Sequence, residues 1–174
     1  MSKVIIVESD LKFGPYAEEH CFHIEKGPTY GKLGEGVKIP EFLLLRLAVS
    51  KPPQVWVVEA KSSSPRPETQ PNFHEYIDDI RQKLTTGFEL FIAMFLKRHP
   101  NAETELSSDF RKLDLATCEF RLVLVVKGHQ LDWLPPLKDK LTKDLHAFVK
   151  TWALGPTPVA VLNEELARKH GLII

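Results

Sequence analysis

A chain of 174 residues with 43% hydrophobic side chains has enough apolar surface for one compact core and too little length for two independent ones, so residues 1–174 read as a single domain. Its 23 basic and 23 acidic side chains cancel, which excludes a binder working through global positive charge and leaves only local contacts for nucleic acid. Two cysteines, Cys21 and Cys118, without CxxC spacing exclude a disulfide framework and a zinc ribbon and point to a reducing, cytoplasmic setting. The run Val4–Val7 is too short for a secretory signal, and no stretch approaches a membrane span, so no membrane partner is expected.

In chain order, Tyr16–Ile24 suits a short helix, although Phe22 and Ile24 equally suit the start of a strand. Five Gly and Pro residues between Gly27 and Gly36 favour a turn or mobile loop beside a cleft. Val37–Leu47 and Val55–Val58 are apolar, β-forming runs separated by Pro52-Pro53, and they pair as a hairpin. Ser62–Pro71, with three prolines and three serines, is an exposed loop and a plausible functional rim. Phe73, Ile77, Ile80, Leu84, Phe88, Phe91 and Phe95 recur at steps of three and four, so Asn72 to about His99 is an amphipathic helix, with Gly87 as a bend point.

Asn101–Asp109 is polar and loop-like, and Phe120–Val126 is a continuous apolar run of the kind covered on both faces, expected at the centre of the sheet. Leu134, Leu137, Leu141, Leu145, Phe148 and Trp152 mark a second amphipathic helix, ended by Gly155-Pro156. A strand at Pro158–Leu162 and a helix after Asn163, a candidate N-cap, complete an α/β sandwich with a mixed sheet.

Both hairpin strands carry charge that their apolar bodies do not explain. Glu41 follows Pro40, and Glu59 and Lys61 close the second strand with Ala60 between them. Strand side chains alternate faces, so Glu59 and Lys61 point the same way, and the hairpin brings Glu41 beside them. Two carboxylates and an amine at one sheet edge can hold Mg²⁺ or Mn²⁺ through hard oxygens and steady an attacking water, which is the chemistry of phosphodiester hydrolysis.

Pro40-Glu41 in one strand and Glu59-Ala60-Lys61 at the end of the next resemble the signature of the PD-(D/E)XK nuclease superfamily. The resemblance covers roughly Val37–His99 and extends loosely to Phe120–Val126. It implies a restriction-endonuclease-like fold, a central mixed β-sheet flanked by helices. It also implies a Mg²⁺ or Mn²⁺ ion held by Glu41, Glu59 and the Ala60 carbonyl, with Glu41, Glu59 and Lys61 as the catalytic set. Gln82 and Lys83 fall where some members contact nucleic acid, and Glu18, Glu19 and Glu25 are candidates for an assisting upstream acid. Glu41 stands where an aspartate is commoner. DNA is the favoured substrate, and at this length specificity has to come from a homodimer, from loops, or from a partner protein of the kind found in prokaryotic defence or mobile-element systems. The competing expectation is a non-catalytic binding or assembly subunit on the same sandwich, and a third is an unrelated small-molecule domain with an apolar pocket.

Other motifs have plainer explanations. His20, Cys21 and His23 lack a second pair at zinc-finger spacing. His74-Glu75 has Asp78 where the helical zinc motif needs histidine, and the Gly27–Gly36 loop misses the phosphate-loop spacing. Lys138, Lys140 and Lys143 alternate with Asp139 and Asp144, as on a solvated, ion-paired helix face.

Overall fold

A computed structural model describes residues 1–174. Two strands, β1 (Lys3–Glu8) and β2 (Leu11–Ala17), form an antiparallel hairpin apart from the main sheet. Ser9 and Asp10 turn it with φ of 49° and 58°, the left-handed region that favours short polar residues when glycine is absent. The main sheet begins with β3 (Cys21–His23), followed by a short helix α1 (Pro28–Leu33), β4 (Phe42–Arg46) and β5 (Gln54–Lys61). Then come the long helix α2 (Asn72–Phe95), two single-turn helices α3 (Ala102–Glu105) and α4 (Ser108–Arg111), and β6 (Glu119–Val126). Helix α5 (Leu134–Trp152), β7 (Val159–Leu162) and α6 (Glu164–Lys169) finish the chain.

The strands run β3-β4-β5-β6-β7 across the sheet, with β3, β4 and β5 antiparallel in turn and β5, β6 and β7 parallel. The architecture is α/β, a mixed sheet flanked by helices. Alternation along the strands divides the core in two. Val55 and Val57 of β5 with Leu122, Leu124 and Val126 of β6 face α2 and α5. Trp56, Val58 and Ala60 with Val123 and Val125 face the β1-β2 hairpin and α6. The helices form because their apolar stripes are buried on the first face: Phe73, Ile77, Ile80, Leu84, Phe88 and Phe91 on α2, and Leu137, Leu141 and Leu145 on α5.

Several expectations change. Tyr16–Ile24 is no helix: Tyr16 and Ala17 end β2, a 3₁₀ turn at Glu18–His20 leads to the edge strand Cys21–His23, and a second 3₁₀ turn, Ile24–Lys26, follows it. Val4–Val7 lies in a strand whose buried face, Ile6 with Leu11 and Phe13, closes the second core. Residues 28–33 of the glycine-rich loop form α1, started by Pro28 at a position where the missing N–H costs nothing. The central strand is β5 and not β6, because β4 and β3 lie on one side of it and β6 and β7 on the other. Helix α2 runs unbroken through Gly87. Helix α5 stops at Trp152 because Ala153 takes a left-handed conformation, φ 51°, two residues before Gly155. Asn163 does cap α6, its Oδ1 accepting from the Leu166 N–H at 3.0 Å.

No helix is long and apolar enough to cross a membrane.

Candidate active site

The main-chain N–H of Glu41 donates to the Val58 carbonyl at 3.0 Å, so Glu41 enters at the mouth of β4 beside the last residues of β5. Strand alternation turns Glu59 and Lys61 onto the face covered by α2, where Asp79 and Lys83, one helical turn apart, meet them. Glu59 is fully buried, one of three polar or charged residues in the core. Its Oε1 accepts from Lys83 Nζ at 2.9 Å and lies 3.3 Å from Lys61 Nζ. Lys61 Nζ also donates to Asp79 Oδ2 at 3.1 Å, and Lys38 Nζ lies 2.9 Å from Asp79 Oδ1.

The second carboxylate oxygen of Glu59, Oε2, is buried without a hydrogen-bond partner. Such an atom is expensive to leave unsatisfied. Burial raises the Glu59 pKa, and Lys83 and then Lys61 pull it back. Burial opposes the charge on Lys83, but Glu59 outweighs it and the Lys83 pKa rises. Asp79 is held below the ordinary aspartate value: burial works against its charge, and hydrogen bonds from Lys38 and Lys61 overcome that.

Glu41 is half-buried, and burial followed by the Glu59 carboxylate pushes its pKa up to about 7, with Glu8 and Glu25 adding to the effect. Those two acids belong to a second group at the same end of the sheet. Ligand atoms of Glu8, from the end of β1, His23, from the end of β3, and Glu25, just beyond it, all lie within 4.8 Å of one another. His23 Nε2 stands 3.7 Å from Glu8 Oε1, too far for a hydrogen bond, and is the other buried side-chain atom without a partner. Burial, then Lys26, lower the His23 pKa, which favours the neutral imidazole that binds metals. Burial, then Glu25, raise that of Glu8.

The two orphaned polar atoms of the molecule thus lie in two acidic groups that both raise the pKa of Glu41. Hard carboxylate oxygens suit Mg²⁺ or Mn²⁺, and an imidazole nitrogen beside them suits Mn²⁺ better than Mg²⁺. The ligand atoms of Glu8, His23 and Glu25 lie close enough together for this donor set to fit one divalent cation. The Ala60 carbonyl accepts from Ser9 Oγ at 3.1 Å. Pro40 precedes Glu41 without a backbone donor that could extend the ladder toward it.

Glu59, Lys61 and Lys83 are in direct contact, and Glu41 enters beside them through its main-chain bond to Val58. Gln82 does not join them: its Nε2 donates to Asp78 Oδ2 at 2.5 Å, on a flank of α2 where Arg81 also grips Asp78 at 2.7 Å. Of the upstream acids, Glu25 reaches the site, whereas the Glu18 side chain accepts from Ser2 Oγ and the Glu19 main chain from Ser107 Oγ. The His20-Cys21-His23 group does not converge, since His20 pairs with Asp109 at 3.1 Å and Cys21 packs against the second core.

Sequence reasoning missed Asp79, Lys38 and Glu8, and weighed His23 only as part of a His20-Cys21-His23 zinc cluster. Asp79 carried a faint signal, an acid four residues before Lys83 beside the buried stripe of α2. Glu8 carried none, because only the hairpin's placement brings it near.

No family model, no curated protein and no solved structure matches this chain.

Proposed function

We propose that this protein is a divalent-metal-dependent nuclease of the restriction-endonuclease-like, PD-(D/E)XK type, hydrolysing phosphodiester bonds, of DNA by preference. The observation that carries the reading is Glu59, a fully buried carboxylate with one oxygen gripped by two lysines and the other free of any partner, next to a Glu41 that burial and carboxylate repulsion keep near neutrality. A structural ion pair would satisfy both oxygens. The pattern of acid, acid, intervening carbonyl and lysine, followed by the long helix α2, supports the same reading.

Bound there, Mg²⁺ or Mn²⁺ would lower the pKa of a water and neutralise phosphoryl charge. Glu41 and Glu59 would hold it. Lys61, fixed by Asp79 and Glu59, orients the attacking water and faces the charge that builds on the phosphoryl oxygens. The water oxygen bonds to phosphorus, the ester bond to the leaving strand breaks, and the water's proton ends on the leaving oxygen or in solvent. Lys83 keeps Glu59 charged while the carboxylate is out of water. The free thiols of Cys21 and Cys118 suit a cytoplasmic setting.

The test is cleavage of labelled single- and double-stranded DNA and RNA with Mg²⁺, Mn²⁺ or EDTA, beside Lys61→Ala. Cleavage lost with EDTA and with Lys61→Ala supports the proposal, and no cleavage under any metal overturns it. One observation favours a second reading: Lys61 is already ion-paired with Asp79 and Glu59, as in a non-catalytic subunit that binds or assembles with a partner. That reading expects the protein to bind nucleic acid or partner chain without cutting, and Glu59→Gln to leave binding unchanged.

A further inference from the structure

The largest cavity, about 600 Å³, opens between the loop that leaves β5 and the segment that leaves β6. It stands at the carboxyl ends of the parallel strands, where open α/β sheets place their ligands. It is also at the end of β5 that carries Glu59 and Lys61, since Ser64, the first lining residue, is three positions beyond Lys61. Its size suits one nucleotide.

Trp133 is half-exposed on the rim. His129 packs against it in a T-shaped pair, ring centroids 5.4 Å apart at 82°, which fixes the angle of an indole that stays half-exposed. The segment carrying these rings is anchored from behind. Asn163 Nδ2 donates to the His129 carbonyl at 3.1 Å, and Glu164 Oε2 accepts from the Gly128 N–H at 3.0 Å. Burial lowers the His129 pKa, so the ring is an uncharged aromatic edge at neutral pH. Opposite stands the rigid sequence Pro65-Arg66-Pro67, whose guanidinium is exposed and in no ion pair. A half-exposed indole held at a fixed angle and an unpaired arginine lining the same nucleotide-sized cavity can stack a base and steady its phosphate.

We infer that this cavity takes an unpaired nucleobase of the substrate strand, stacked on Trp133 with Arg66 beside it, so that the protein engages single-stranded nucleic acid next to the acidic site. The inference rests on the nuclease reading for its choice of ligand. A paired base is unavailable to such a platform, because both its faces are taken by its neighbours in the duplex. Stacking at a distance from the scissile bond adds the same binding energy to ground and transition states, so it acts on KM and leaves kcat unchanged.

The experiment is fluorescence anisotropy of a labelled ten-nucleotide single strand and of the matching duplex, in EDTA so that nothing is cut, with full-length wild type, Trp133→Ala, Trp133→Phe and Arg66→Ala. Trp133→Ala is expected to weaken single-strand binding roughly 5- to 150-fold, the loss of one base stack. Trp133→Phe should retain most of the affinity, and the duplex should be unaffected by either. Both residues are exposed, so the fold is expected to survive, and circular dichroism checks it. Unchanged single-strand affinity in Trp133→Ala overturns the inference, as does an equal loss for strand and duplex. Hydrolysis of bis(4-nitrophenyl) phosphate, which has no base to stack, reads the acidic site separately. Absence of that hydrolysis together with the expected binding loss counts against the nuclease reading and leaves the base platform standing.

Discussion

Gly87 of α2 and Pro40 are in a contact that no other residue at position 87 permits: a Cβ there would come within 2.6 Å of the proline Cδ and 3.1 Å of Val57 Cγ1. The helix comes close enough to the start of β4 for Pro40 to seat against its backbone, and this seat delivers the next residue, Glu41, to the site. The sequence suggests a bend at Gly87; its work is close approach. Alanine is the better helix former by roughly 1 kcal/mol. Gly87→Ala should nevertheless destabilise the protein by about 1–3 kcal/mol through overpacking, read by urea unfolding, and should weaken metal binding by displacing Glu41. A stabilised Gly87→Ala protein would show that Pro40 can yield.

Lys83→Met removes one of two ammonium groups from the buried Glu59 carboxylate. A loss of about 1–3 kcal/mol in unfolding free energy is expected from leaving that charge less compensated. Adding Glu59→Gln to Lys83→Met should restore part of it, because the charge needing compensation is gone. A double-mutant cycle with zero coupling would contradict the burial argument.

Glu41 has its pKa near 7 in the folded protein against an ordinary 4.5, and burial raises Glu59 and Glu8 in the same direction. At these carboxyls the fold retains protons that the unfolded chain releases, whereas at His23, His129 and His170, whose pKa values burial lowers, it does the reverse. The carboxyls' contribution to stability is complete below about pH 4.5 and is lost as pH rises through 7. In EDTA, the Tm of wild type relative to Glu41→Gln should fall between pH 5 and pH 8, a difference that cancels the histidines' opposite contribution. A wild-type Tm that does not fall relative to that of Glu41→Gln over this interval would reverse the assignment.

At pH 8, Mn²⁺ or Mg²⁺ should raise Tm by binding only the folded state, the increment growing with the logarithm of concentration above Kd. Glu59→Gln should abolish the rise. His23→Ala should reduce the response to Mn²⁺ more than that to Mg²⁺, since imidazole favours the former. Equal responses in wild type and Glu59→Gln would place the ion elsewhere.

Burial pushes the Cys118 thiol up to about 11 and the Cys21 thiol up to about 12. Because the thiolate is the reactive species, both should be alkylated slowly by iodoacetamide at pH 8 in the folded protein and rapidly in urea. Mass spectrometry after timed quenching distinguishes the two cases.

The elements with strong local periodicity were legible in the sequence: α2, α5, β5 and β6 stand close to where their apolar patterns put them. So was the pairing of Glu59 with Lys61, which share a face by strand alternation alone, and of β5 with β4. What escaped was determined at long range. The hairpin β1-β2 holds its place through contacts such as Tyr16 Oη donating to the Leu172 carbonyl at 2.5 Å, across nearly the whole chain. No local pattern announces that Glu8 arrives beside His23 and Glu25. Cys21–His23 is too short for a period to be read, and its three residues are strand only because Phe42–Leu44 offers them a ladder.

The most aggregation-prone sequences in this protein, Phe42–Arg46, Val55–Val58 and Phe120–Val126, are almost uninterrupted β-formers that would cross-pair with other copies if left open. The sheet order puts all of them inside. At its two margins it leaves only β3, three residues long, and β7, four residues long, edges too short to template the strand of another molecule. The arrangement that carries the acidic cleft on a central strand also keeps the protein's stickiest segments out of reach of its neighbours in a concentrated solution.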